Sequence, residues 1–235
     1  RRAAWRRAQI LAEHLGDEAG ALQVLEPWIA EQGDDRAILG ACLEIYRRRG
    51  EWDTITEILG TLAHNGSPGE RVRDLVELAT IHSQHLGDEE EALRLLGRAA
   101  ALCAESGTAI DPIREYFDRA GDPEGLLNVL ALALAALPTK DGAGAVAIRL
   151  TRARLLAGRL ARPEEALAEM QHALRDHPDS VEARLELAAL HLRGDRLADA
   201  GVEYFHALDV EPFGAEAFRG LYRVFDRRGE VDRAA

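Results

Sequence analysis

One nine-residue segment of this chain occurs twice, and this recurrence restricts the fold more than any other feature of the sequence. Residues 14–22 and 85–93 are identical at seven of nine positions and lie 71 residues apart. A related glycine-then-acidic turn, Gly50-Glu51, lies about midway between them. A recurring unit of about 35 residues is typical of proteins built from stacked copies of one supersecondary element.

The same kind of turn recurs along the rest of the chain, each time ahead of an apolar anchor residue. The anchors are spaced by 34, 37, 34, 40, 34 and 34 residues. They are Ala21, Ile55, Ala92, Leu126, Ala166, Ala200 and Ala234. From these spacings we expect a single solenoid over residues 1–235. Its repeats are expected at about residues 1–33, 34–66, 67–106, 107–141, 142–179, 180–213 and 214–235.

Each repeat is expected to form two amphipathic helices joined by a short turn, because apolar residues recur three and four positions apart. The glycine of the turn can adopt the left-handed conformation, and the Asp that often follows can cap the second helix. Ser67 and Glu70 have the spacing of a capping box at the start of the third repeat. Pro27 falls inside a second helix and is expected to kink it.

The composition favours helices and argues against two classes of partner. Acidic residues outnumber basic ones by 41 to 29, giving a net charge of −12. A surface that follows nucleic-acid phosphates or an anionic membrane needs clustered positive charge instead. The longest apolar run, residues 126–137, is too short to cross a bilayer. We therefore expect neither nucleic-acid binding nor membrane insertion.

Patterns that carry catalysis or cofactor binding are missing from the sequence. Cys42 and Cys103 fit no metal or redox spacing and are interpreted as small buried hydrophobic residues. His82 and His85 could share a metal ion, but no third ligand follows at a suitable spacing, so a structural role is favoured. P-loop, Rossmann, nucleophile-elbow and C-x-x-C fingerprints are absent. We expect no enzymatic activity, no cofactor and no metal site.

The repeats resemble the tetratricopeptide repeat, in which small and bulky residues alternate at fixed positions of a helix pair. The sixth repeat matches best, with Leu187, Ala188, Ala200, Tyr204, Ala207 and Pro212. The fifth repeat carries Ala153, Ala166, Met170, Ala173 and Pro178. The resemblance covers essentially the whole chain. It implies an all-α fold, a right-handed α-solenoid of about seven helix-turn-helix repeats.

Two kinds of departure from the family pattern occur. The small residue of the first helix is replaced by Leu43, Arg114 and Tyr222 in repeats two, four and seven. Repeats one, three and five carry about one extra residue before the turn. Both departures fall where two helices should approach closely, because small residues at a helix crossing let the backbones come together.

The resemblance also implies where a partner would bind. In the family, the first helices of the repeats line a concave groove that holds a segment of a partner protein. Carried over to this chain, the groove positions give a set of candidate residues. They are Trp5, Gln9, Glu44, Thr80, Glu115, Arg154, Leu185, Arg193, Arg219 and Arg223.

The charged candidates differ between the two halves of the chain. Glu44 and Glu115 belong to the first four repeats, whereas the arginines at 154, 193, 219 and 223 belong to the last three. Because guanidinium groups pair well with carboxylates, the C-terminal half is predicted to receive an acidic segment. The alternative is that these arginines are solvated or paired with carboxylates of neighbouring helices.

These patterns predict a protein-interaction scaffold or adaptor that binds a protein or peptide segment. One alternative is a structural segment that associates with itself end to end. Another is a regulatory region of a larger, catalytic protein. Because the chain opens inside a first helix and stops at Ala235, early in a second one, we expect it to be a fragment of a longer repeat protein. The sequence identifies neither the partner nor the compartment.

Overall fold

The computed structural model of the chain describes residues 2–31, 35–138 and 142–230. Every regular element within these ranges is helical, and none is a strand, so the predicted all-α fold is confirmed. The α-helices are α1 (Arg2–Gln9), α2 (Glu18–Glu31), α3 (Arg36–Arg49), α4 (Trp52–Leu62), α5 (Pro68–Ile81), α6 (Glu89–Ser106), α7 (Asp111–Ala120), α8 (Pro123–Ala136), α9 (Ala143–Gly158), α10 (Pro163–Asp176), α11 (Val181–Arg193), α12 (Leu197–Val210) and α13 (Ala215–Arg228).

The helices follow one another as hairpins. Each of the first six expected repeats contains one pair, and α13 lies in the seventh. We call the odd-numbered helices the first helices and the even-numbered ones the second helices. The chain divides into two compact units, residues 1–116 and 117–235, which we call the N-terminal and C-terminal units. A single solenoid over the whole chain stays a prediction.

Each of the seven first helices that the structure describes is followed by one residue in the left-handed conformation, with φ between 54° and 70°. Five of these residues are glycines, as the sequence predicts, and the other two are Ala161 and Asp195. In the sixth turn, the glycine at position 194 was expected to be the left-handed residue. This expectation is wrong, because Gly194 has a φ of −83°. Asp tolerates the left-handed region better than most residues, which allows Asp195 to take this place.

The extra residue expected in repeats one, three and five is confirmed by the hydrogen bond that closes each turn. In repeat three, the amide of Asp88 donates to the carbonyl of His82, six residues back. In repeat four, the amide of Asp122 donates to Phe117, only five residues back. The wider turn is built as a π-helical continuation of α1 (Ile10–His14) and of α5 (His82–Leu86). A π turn absorbs one additional residue without ending the helix.

Caps start the helices where the sequence predicts them. The Asp88 carboxylate accepts from the amide of Glu91 at 3.1 Å, and Asp122 accepts from Gly125 at 2.8 Å. At the start of α5, the Glu70 carboxylate accepts from the amide of Ser67 at 2.9 Å. These bonds satisfy amides that have no partner in the first turn of a helix. The predicted kink at Pro27 stays a prediction, since α2 continues through that residue.

The anchor residues form the centre of the core. All six anchors in the described residues are buried, while Ala234 lies outside them. Cys42 and Cys103 are buried as predicted, and burial raises the pKa of each thiol to about 11. Such thiols stay protonated at neutral pH and act as small hydrophobic residues.

A glycine that the family pattern does not mark lies at the contact between α12 of the sixth repeat and α13 of the seventh. A Cβ atom at Gly220 of α13 would overlap three ring carbons of Tyr204 of α12. Tyr204 is buried against α13, whereas Tyr222, which replaces the small residue of the pattern, is exposed. Gly220 therefore takes over the function of the missing small residue, because it lets a large ring lie on the helix backbone.

Candidate functional site

First helices of successive repeats lie beside each other within each unit. Helix α1 contacts α3 in the N-terminal unit, and α11 contacts both α9 and α13 in the C-terminal unit. Residues from different repeats can therefore share one surface, as the resemblance implied for the groove positions.

A pocket of about 410 Å³ lies between α1 and α3. Three candidates from the sequence, Trp5, Gln9 and Glu44, line it together. Its other lining residues are Ala8, Ala12, Leu25, Ala37, Gly40, Ala41, Ile45 and Arg48. The volume lies near the lower end of the range of about 300–1,000 Å³ that is typical of ligand-binding clefts.

The floor of the pocket consists of buried apolar side chains, and its rim consists of exposed side chains. Ala8, Leu25 and Ile45 are buried beneath it, whereas the Trp5 side chain is 42% exposed. Glu44 is also exposed at the rim. An apolar floor beside an exposed indole resembles the anchor pockets of protein interfaces, where Trp is over-represented.

The charges beside the pocket form an unbalanced group. The Arg47 guanidinium donates to both Glu44 and Glu77, so that one positive charge serves two carboxylates. The Glu44 side chain remains 66% exposed in this arrangement. These three side chains carry one more negative than positive charge, and Arg48 adds a positive charge to the lining of the pocket. On the other side, Arg48 lies 3.7 Å from the carboxylate of Glu18.

Thr80 and Glu115 do not line this pocket. The Thr80 hydroxyl donates to the carbonyl of Val76 within α5 at 2.8 Å, and its side chain is half-buried. Glu115 is exposed on α7.

In the C-terminal unit, one buried carboxylate holds two of the predicted arginines. Glu186 on α11 accepts from Arg154 of α9 at 2.7 Å and from Arg193 at 3.2 Å. The Glu186 side chain is only 10% exposed. For these two arginines, the structure favours the alternative of pairing with neighbouring carboxylates. Leu185 is half-buried and packs against the core of this unit.

Arg219 and Arg223 differ from the other arginines. They lie one turn apart on α13 and are exposed. Within the part of the chain that the structure describes, neither forms an ion pair. Burial raises the pKa of Tyr204, while Arg223 and Arg193 both act to lower it, so these two arginines lie near the same phenol.

The two histidines of the H-x-x-H pair have different partners. The His85 ring stacks on Trp52 with ring centroids 3.6 Å apart. The Nδ1 atom of His82 lies 3.8 Å from the Asp88 carboxylate. No group of three potential metal ligands occurs among the residues for which the structure gives positions. In the same part of the chain, no helix has the length and apolar composition needed to span a bilayer.

Sequence reasoning missed several residues of the pocket. Ala37, Gly40 and Ala41 of α3 form its wall opposite α1. The available signal was Gly40, because glycine is unfavourable inside a helix and marks positions with another requirement. The alanines carried no signal, since alanine is also common in the core of these helices.

No protein-family model matches the chain, and no curated protein matches it in sequence. A chain of the Naa15/Naa10 complex bound to HypK-THB is similar in structure, with a TM-score of 0.51 and 15% identity, over 99% of this chain and 40% of that chain. YrrB, a TPR protein with an unusual peptide-binding site, gives a TM-score of 0.44 and 18% identity, over 68% of this chain and 79% of that one. The C-terminal part of a TPR repeat-containing protein from Cytophaga hutchinsonii gives 0.45 and 15%, over 98% and 92%.

Identities this low show the fold alone, and the chain spans less than half of the Naa15/Naa10 chain that it matches. The fold is an all-α arrangement of consecutive helical hairpins. Solved tetratricopeptide-repeat proteins are among the structures to which this fold is similar, in agreement with the resemblance seen in the sequence.

Proposed function

We propose that this chain is a protein-interaction scaffold that binds a segment of a partner protein on its first helices. Its fold is one whose members are generally non-catalytic repeat scaffolds. The observation that carries the proposal is the pocket between α1 and α3. Three residues that the family resemblance marks as groove positions, Trp5, Gln9 and Glu44, line this apolar cleft.

The C-terminal unit offers a second contact for an acidic stretch of a partner. Arg219 and Arg223 support it, because exposed arginines without an ion pair can accept carboxylates in the forked geometry that arginine favours. Arg154 and Arg193 contribute less, since Glu186 already neutralises part of their charge. A protein partner fits the net charge of −12 better than a nucleic acid does, because nucleic-acid binding needs clustered positive charge.

Affinity capture followed by mass spectrometry tests the scaffold proposal. The chain is compared with Trp5→Ala and with the matched control Leu86→Ala, whose side chain is 41% exposed. We expect proteins that the original chain and the control retain and that Trp5→Ala loses. Equal retention by all three proteins would exclude the first-helix pocket as the binding surface.

Charge reversal tests the acidic contact. The double variant Arg219→Glu with Arg223→Glu is compared with Arg98→Glu and Arg175→Glu, which change the charge equally on exposed positions of second helices. We expect only the first double variant to weaken capture, with an effect that shrinks as salt is added. Unchanged capture contradicts an acidic partner segment.

End-to-end self-association and a regulatory function within a larger protein are the remaining alternatives. Light scattering at several concentrations separates the first of them from partner binding. A molar mass that rises steadily with concentration supports self-association, because head-to-tail contacts that do not close generate open assemblies. A constant monomer mass supports the scaffold.

A further inference from the structure

Gly40 is placed where a helix gains nothing from glycine. It lies in the interior of α3, with several helical residues on either side. Its φ is not positive, so the backbone conformation is open to any residue. Glycine in the middle of a helix is less favourable than alanine, because it loses more conformational freedom on folding.

Packing does not require a glycine at this position either. Apart from its two chain neighbours and the nearby backbone of its own helix, nothing would lie within 4 Å of a Cβ atom built at Gly40. The open space in front of it is the pocket between α1 and α3, which Gly40 lines. Glycine here leaves the fold unchanged and leaves the pocket deeper.

We propose that Gly40 keeps this pocket open for one bulky apolar side chain of a partner segment, leucine or an aromatic residue, that is accompanied by a basic residue. The proposal rests on the proposed function of the first helices. The residue at position 40 then sets the size of the side chain that can enter, and so determines which segments bind.

The apolar part of the ligand follows from the walls of the pocket. Methyl groups of Ala8, Ala12, Ala37 and Ala41 surround the space, and Leu25 and Ile45 close it below. A charged or strongly polar side chain entering this space would lose water without gaining a partner. A large apolar side chain loses only contact with water, and the exposed Trp5 ring at the rim can cover it.

The basic part of the ligand follows from the charge at the rim. Glu44 and Glu77 share the single guanidinium of Arg47, and Glu44 remains mostly exposed. A lysine or arginine next to the apolar anchor would complement the exposed Glu44 carboxylate, while Arg48, which lines the same pocket, lies 3.7 Å from the carboxylate of Glu18. Because Glu44 lies on the same helix as Gly40 and lines the same pocket, one short segment can reach both.

The test uses the full chain and a phage-displayed library of short random peptides. Peptides are selected on the original chain, synthesised, and their dissociation constants measured by fluorescence polarisation. We expect one leucine or aromatic residue next to a lysine or arginine in the selected peptides. Replacing that apolar residue by alanine should weaken binding about tenfold or more, as for other buried interface anchors.

Variants at position 40 then fill the pocket in steps, with Gly40→Ala, Gly40→Val and Gly40→Leu. We expect binding to weaken in this order, with a loss of about tenfold or more for leucine. The control is Gly60→Leu, because Gly60 lies in the last turn of α4 with open space at its Cβ and does not line this pocket. Gly40→Ala should raise the melting temperature by about 1–3 °C while weakening binding, which separates lost affinity from lost folding.

Glu44→Gln tests the basic half of the ligand. We expect it to weaken binding and to reduce the preference for lysine or arginine, while the exposed control Glu57→Gln changes neither. Selected peptides without a basic residue next to the anchor contradict this half of the proposal.

Several outcomes overturn the proposal, and they differ from failure of the scaffold. If the peptides bind Gly40→Leu as tightly as the original chain but lose affinity for Trp5→Ala, the first-helix surface stands and the inference about Gly40 is wrong. If neither variant weakens binding, or no peptide is selected, both proposals are wrong. A dimer in light scattering that Gly40→Leu dissociates would assign the pocket to a second copy of this chain.

Discussion

Gly40 and Gly220 are both glycines inside first helices, yet their surroundings are opposite. At Gly220 of α13, a Cβ atom would overlap the ring of the buried Tyr204. At Gly40 of α3, a Cβ atom would have no neighbour within 4 Å. The first glycine is required by packing inside the C-terminal unit. The second, in the N-terminal unit, is required by nothing in the described structure except the depth of the pocket that it lines.

This difference shows how a structural residue and a functional one can be separated without a bound ligand. A residue that is unfavourable for its helix is explained if a neighbouring side chain needs the space. Gly40 has no such neighbour and also lines the pocket between α1 and α3, which is why we propose a requirement from outside the folded chain. The free energy of unfolding should therefore respond in opposite directions to the same substitution at the two positions.

The largest effect is expected for Gly220→Ala. The added methyl group must displace the ring of Tyr204 or separate α12 from α13, and overpacking of this kind should lower the free energy of unfolding by about 3 kcal/mol. Urea denaturation followed by circular dichroism measures the loss. A double-mutant cycle with Tyr204→Ala provides the control, since removing the ring should relieve most of the added cost of the methyl group. Additive losses would show that the ring is not the cause.

The next effect in size is expected for Gly87→Ala. Gly87 has a φ of 69° and no neighbour within 4 Å of a Cβ atom, so the substitution adds backbone strain without a clash. Strain in the left-handed region, partly offset by the entropy that glycine loses on folding, should lower stability by about 1 kcal/mol. Gly87→Asn is the matched control and should cost less, because Asn tolerates this conformation. Equal losses for both variants would contradict strain as the cause.

Ala161→Gly should act in the opposite direction at the corresponding turn of repeat five. Ala161 has a φ of 54°. It lies in the wide turn of repeat five at the position that Gly87 has in the wide turn of repeat three. Relief of strain should raise the free energy of unfolding by about 0.5–1 kcal/mol. Asp195→Gly should raise it less, because Asp already tolerates the left-handed region. A loss of stability in Ala161→Gly would mean that the turn does not hold this residue under strain.

The smallest effect is expected for Gly40→Ala. Alanine is the better helix former, and no neighbour has to move, so stability should rise by about 0.5 kcal/mol. The thermal midpoint of the variant, measured beside that of Gly220→Ala, gives the sign. Lower stability in both variants would remove the contrast between the two glycines and, with it, the reason to assign Gly40 to the pocket.

Much of the fold was predictable because its signals are local. The recurring turn located the six buried anchors in the described residues, and the sequence showed the extra residue of repeats one and three, which the structure places in π-helical turns. The caps by Asp88 and Asp122 follow from the same short patterns. Each of these features depends on residues a few positions apart, whose relative placement in a helix or turn is fixed by backbone geometry.

The candidate surfaces were predictable only in part. The repeat pattern brought Trp5, Gln9 and Glu44 to one pocket but did not show which side chains oppose them. It grouped four arginines together, although Glu186 pairs with two of them and leaves Arg219 and Arg223 without an ion pair to any residue the structure describes.

The sequence by itself determined the spacing of helices and turns, the buried anchors and the all-α fold, since all of these depend on neighbours along the chain. The tertiary structure alone decided that Gly220 lies under a tyrosine ring and that Gly40 opens onto a pocket. It also decided that Glu186 pairs with Arg154 and Arg193, whereas Arg219 and Arg223 form no ion pair with any residue the structure describes. These properties depend on the atoms that face a residue across a helix contact, and such atoms come from positions tens of residues away.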